Sequence, residues 1–166
     1  GVATYLEALY MESRRGLDGY HDLIAYFRRQ VTNRSPIARQ GAASAQEIYG
    51  RDVYYKGALV LHTLRSMMGP DSVKTLLRRF VSESTSSGPV CRHVDTKGFL
   101  QLAESMLGRS LDGFAETYLY QASLPRLETT RTDSTLTLRW TNAAEGFAVP
   151  VPVRVDGTIR RVAMTE

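Results

Sequence analysis

Asp52-Val53-Tyr54-Tyr55-Lys56-Gly57-Ala58-Leu59-Val60-Leu61-His62-Thr63-Leu64-Arg65 is the stretch that decides the fold class of this chain. Within and just beyond it, Val53, Gly57, Val60, Leu61, Leu64 and Met68 recur at the intervals that place side chains on one face of an α-helix. The stripe ends at Gly69-Pro70. Pro70 suits the first turn of a following helix, where a missing N–H costs no hydrogen bond, and Val73, Leu76, Leu77, Phe80 and Val81 supply that helix with an apolar face.

The same period runs outward in both directions. Val2, Tyr5, Leu6 and Leu9 form one series, and Tyr20, Leu23, Ile24, Phe27 and Val31 a second after the breaker Gly16, which predicts two amphipathic helices. Beyond the loop at Pro36, Ser44-Ala45-Gln46-Glu47 has the form of a capping box and predicts a short helix. The Ser- and Gly-rich run between Ser82 and Val94 reads as a solvated loop. Asp95 or Thr96 then caps a helix bearing Phe99, Leu102, Ala103 and Met106, which Gly108 ends. Leu111, Phe114, Tyr118 and Leu119 predict a last helix, closed before Pro125.

From Leu127 the period changes to two. Leu136, Leu138 and Trp140 alternate with Thr and Arg, and Phe147, Val149, Val151, Val153 and Val155 alternate with Ala148, Pro150, Pro152 and Arg154, a strand pattern. The prolines cannot donate to a ladder and favour an edge strand, and Asp156-Gly157 predicts a tight hairpin turn into Ile159 to Met164. The chain is therefore expected to be mainly α, a helical unit over residues 1–125 and a short antiparallel β segment over 126–166. So few strands bury little by themselves, and the segment must pack on the helices or open a longer β domain.

Composition narrows the partners. A chain of 166 residues, 43% hydrophobic, can bury a sizeable core. The net charge of +4 comes from 21 basic and 17 acidic residues that are interspersed, and no groove-reading or base-stacking motif accompanies them, so no nucleic-acid partner is expected. No apolar run approaches the roughly 20 residues that span a bilayer, so no membrane partner is expected. The single cysteine, Cys91, allows no internal disulfide. A helical pattern starts at Gly1 with no Met and no capping residue before it, which reads as a cut end.

The residues offer little unaided chemistry. His21, His62 and His93 lack a Glu-x-x-His context. Cys91-Arg92-His93 supplies soft ligands without a second pair. His62, beside Leu61 and Leu64, reads as a hydrogen-bonded packing residue, Lys56 as solvated or paired with an acid, and Gly57 as a point of close helix packing. Glu7 and Glu12 do not share a helix face, which excludes a paired acid and base. By pattern alone Tyr54 is a partly buried tyrosine at a helix start.

Taken together, these segments carry a resemblance. Gly1-Val2-Ala3-Thr4-Tyr5, then Tyr54-x-Lys56-Gly57-Ala58 with Leu64-Arg65 and Gly69, then Phe99 to Gly108, Leu111-Asp112, Phe114, Leu119 and Pro125 resemble, in order and over nearly the whole chain, the zinc aminopeptidases of the aminopeptidase N family. In that family a zinc-ligating Glu precedes Gly-x-Ala-x-Tyr, and a Tyr-Glu-Lys-Gly segment follows. This chain departs at Tyr55, where Glu is common.

The resemblance implies that residues 1–125 are the helical subdomain of a thermolysin-like metallopeptidase domain and that 126–166 begin the next β-sandwich domain. It implies a zinc-dependent enzyme that removes N-terminal residues from peptide substrates. The zinc ligands, the general base and the Gly-x-Met-x-Asn segment that holds the substrate amine would all lie before Gly1, so this chain by itself is expected to be inactive and to bind no metal. Tyr54 matches the tyrosine whose hydroxyl donates to the oxyanion of the tetrahedral intermediate, a task that suits a phenol protonated at neutral pH. The face that the missing half would cover is expected to drive self-association. The alternative is a non-catalytic helical module of the same fold that binds a peptide or protein in a groove between helices.

Overall fold

The computed structural model describes residues 1–39, 49–82 and 95–164. Helix α1 (Val2–Gln30) is broken at Gly16, where φ of 69° and ψ of −163° suit a residue without Cβ, so the two predicted apolar series form two helical segments meeting at that glycine. After α1 the chain turns back onto α2 (Arg51–Met68). The turn is held by Asp52, whose carboxylate accepts from the Thr32 amide at 2.7 Å and the Thr32 hydroxyl at 2.9 Å. Gly69, at φ 92°, ends α2, and α3 (Pro70–Ser82) starts at the expected proline. In α4 (Thr96–Leu107) the Asp95 side chain accepts from the Gly98 N–H at 2.7 Å, and Gly108 closes the helix in the left-handed region.

Two expectations need correction. The last helix is not uniform: α5 (Asp112–Ala115) continues as a widened π turn over Glu116–Tyr120. The carbonyls freed at that end take donors from elsewhere in the chain, with the Ile37 and Ala38 amides both bonding to the Leu119 carbonyl at 3.0 Å. The strand expected from Phe147 begins only at Val151. Phe147 and Val149, 5% and 6% exposed, turn instead into the helical core. Gly113 makes room for them, since a Cβ there would come within 2.4 Å of the Gly146 carbonyl carbon, and the Trp140 indole N–H donates to the Val149 carbonyl at 2.9 Å.

The rest of the β segment follows the pattern. β1 (Arg126–Arg131) pairs antiparallel with β2 (Leu136–Thr141), with Leu127 opposite Trp140. β3 (Val151–Val155) pairs antiparallel with β4 (Thr158–Val162). Asp156 and Gly157, at φ 50° and 79°, make the turn in the doubly left-handed form that hairpins favour. Each sheet has two strands, so Pro152 lies on an edge strand as expected.

The core joins helices and β segment. Tyr5, Ala8, Tyr20 and Phe27 of α1 pack on Ala58, Leu61 and Leu64 of α2, and the same cluster takes in Phe114, Phe147 and Val149. Each large side chain buried in this way contributes roughly 1.5–3 kcal/mol. Among the described residues no helix is long and apolar enough to cross a membrane. The capping box at Ser44–Glu47, the solvated loop after Ser82 and the Cys91-Arg92-His93 segment lie outside the described residues.

Candidate functional site

Tyr54 stands in the first turns of α2, at its solvent end, with 39% of its surface exposed. It is not the partly buried residue that pattern alone suggested. Its ring meets that of Tyr49 edge-on, centroids 5.8 Å apart, and the hydrogen bond with Tyr49 raises its pKa above the ordinary phenol value. Tyr54 is therefore a protonated donor at neutral pH.

Beside it the backbones of α1 and α2 touch. A Cβ on Gly57 would lie 2.9 Å from the Gly1 Cα, and a Cβ on Gly1 would lie 3.1 Å from the Gly57 Cα and 3.4 Å from the Val53 carbonyl oxygen. Gly57 is thus a point of close packing, as its position suggested. Residues three apart share a helix side, so Gly1 abuts α2 on the side that bears Tyr54.

Lys56 corrects an expectation. Far from solvated, it is 2% exposed. Its Nζ donates to the carbonyls of Gln121 and Ala122 at 2.9 and 3.1 Å, where the π turn ends in unpaired acceptors that favour a cation. Burial lowers its pKa, and the charge of Asp52 one helical turn away acts against that. Asp52 is 5% exposed; burial opposes its charge, but the amides of Thr32, Asn33 and Arg34 outweigh this and hold its carboxyl below the usual range.

Further along α2 lies a polar network. The His62 Nδ1 and the Tyr20 hydroxyl are 2.8 Å apart, and the Tyr20 and Tyr5 hydroxyls 3.3 Å apart. His62 is thus a hydrogen-bonded packing residue, and burial, His21 and Arg65 lower its pKa. Arg65 forms a two-pronged ion pair with Glu12 at 2.7 and 2.8 Å, and its guanidinium lies 4.3 Å from the centre of the Tyr20 ring. Lys74 of α3 reaches the same carboxylate at 3.6 Å. Sequence reasoning missed the roles of Asp52, Glu12 and Arg65. The one available signal was Arg65 following directly on the apolar stripe.

Among the described residues no group of three or more His, Cys, Asp or Glu side chains could hold a metal ion. Comparison of the chain with protein-family models finds no match, and comparison with curated proteins finds none either.

Proposed function

We propose that this chain is the C-terminal helical part of the catalytic domain of a zinc aminopeptidase, resembling the aminopeptidase N family and its thermolysin-like fold, followed by the first strands of a β-sandwich domain. The observation that carries this is the contact of Gly1 with Gly57 beside the exposed Tyr54. The resemblance expects a zinc-ligating Glu directly before Gly1, and a residue there would emerge next to the turn of α2 that presents the phenol.

The described residues do not themselves fit a zinc ion. Metal, general base and substrate-amine site belong, on this proposal, to sequence preceding Gly1. The part this chain plays is the hydrogen bond that Tyr54 gives to the oxyanion formed from the first peptide carbonyl of the substrate, and the chain alone is inactive. Exposed Leu6, Tyr10 and Leu17 on α1 support self-association of the isolated chain.

The coding sequence immediately before Gly1 tests the proposal. A Glu codon adjacent to Gly1, with H-E-x-x-H roughly twenty residues earlier, is the expected result. Finding neither would leave Tyr54 without a metal and favour a non-catalytic binding module. That second reading has its own support in an apolar groove of about 380 Å3 lined by Val53, Leu64, Phe99 and Phe114. Saturable binding of peptides by the isolated chain would speak for the module.

A further inference from the structure

The second half of α1, the middle of α2 and the π turn enclose a cavity of about 600 Å3. Its lining carries no carboxylate among the described residues. Arg28 and Lys56 are the cations facing it, and His21, His62 and Tyr118 line it as well. Lys56 spends two donors on Gln121 and Ala122 and keeps a third. Asp52, whose charge acts on Lys56, is already engaged by Thr32 and the amides beyond it. Arg28 is exposed and makes no ion pair with the described residues.

The remaining wall is largely apolar, formed by Ile24, Val31, Leu59, Val60 and Leu124. Asn33 lines the same space, and its buried Oδ1 has no donor among the described residues. A bare inorganic ion would leave this apolar wall unused, and a neutral apolar molecule would leave the cations unpaired.

We propose that the cavity binds a small organic carboxylate, its charged end against Arg28, His21 and His62 where the cavity opens, and its apolar body along Ile24, Leu59, Val60 and Leu124. Lys56 and Tyr54 are separated by about 200° around α2. The site is therefore distinct from the one that Tyr54 serves, and either can fail without the other.

Sodium hexanoate titrated into the 166-residue chain, followed by amide and imidazole NMR, tests this, with hexan-1-ol, hexylamine and sodium phosphate as comparators. Hexanoate should give saturable shifts at the amides of α1 from Ile24 to Arg28 and of α2 from Leu59 to Thr63. It should also raise the pKa of His62, because an anion favours the imidazolium. Without ligand that pKa is lowered by burial first and then by His21 on α1 and Arg65 on α2; the Tyr20 hydroxyl is hydrogen-bonded to the same imidazole, and Lys56 and Tyr118 line the same cavity. Arg28→Gln, an exposed change that spares the fold, should weaken hexanoate binding about tenfold. Hexan-1-ol or hexylamine binding as tightly as hexanoate, phosphate alone matching it, hexanoate failing to saturate, or Arg28→Gln leaving affinity unchanged would each overturn the proposal.

Discussion

Tyr54 and Lys56 lie two residues apart on α2, yet one is 39% exposed and the other 2%. Among the described residues the phenol meets the Tyr49 ring edge-on and shares a hydrogen bond with that residue, yet much of Tyr54 stays exposed. The ammonium gives two of its three donors to the carbonyls that the π turn leaves open. Further along α2, about half a turn around the helix from Lys56, Arg65 is consumed in the same way by Glu12 and Tyr20. Buried Lys56 and Arg65 are tied into the fold by their hydrogen bonds, whereas Tyr54 keeps an exposed ring at the start of the helix.

The sharpest way to break this contrast is Arg65→Ala. It leaves Glu12 without its main partner in a largely buried setting and should cost about 3–5 kcal/mol in urea unfolding. Replacing Glu12 and Arg65 together by apolar residues of similar volume should recover most of that loss. A smaller effect is expected for Lys56→Met, which abandons the Gln121 and Ala122 carbonyls and should cost about 1–3 kcal/mol. Tyr54→Phe in the same assay should stay within about 0.5 kcal/mol of the wild type. A Tyr54→Phe loss as large as that of Lys56→Met would erase the distinction between rim and interior.

The smallest effect concerns pH. The folded-state pKa of His62 is lowered, by burial first and then by His21 and Arg65, so the unfolded chain binds the proton more tightly. Its contribution to stability is present above the ordinary imidazole value, near 6.5, and shrinks as pH falls below it. The Glu12 carboxyl is lowered by its hydrogen bond with Arg65, and its contribution is lost at lower pH still, as pH falls through the folded-state value. Unfolding midpoints measured from pH 7.5 to 5 should decline, and His62→Gln should flatten that decline.

Sequence legibility divides along the same line as rim and interior. Helices α1 to α4 follow from apolar period and from Gly16, Gly69 and Gly108, because those signals are local. The turn at Asp156-Gly157 is local as well. The burial of Lys56 was not legible, since its acceptors lie far downstream at Gln121 and Ala122. Phe147 and Val149 carry the alternation of a strand, and only the gap at Gly113 turns them toward the helices.

Adjacent tyrosines make the same point. Tyr55 packs against Tyr26 and Phe27 while Tyr54 faces the rim, and nothing in the spacing separates them. The role proposed for Tyr54 came from the resemblance to the aminopeptidases, while its exposure beside the contact of Gly1 with Gly57 is a matter of tertiary packing.

The most direct test of that role is the turnover of Tyr54→Phe in a protein that carries the sequence preceding Gly1, assayed on a peptide with a free N-terminus. The expected result is a fall in kcat on the order of 100- to 1000-fold with KM and thermal stability little changed, as for loss of one oxyanion donor. Turnover close to that of the wild type would contradict it.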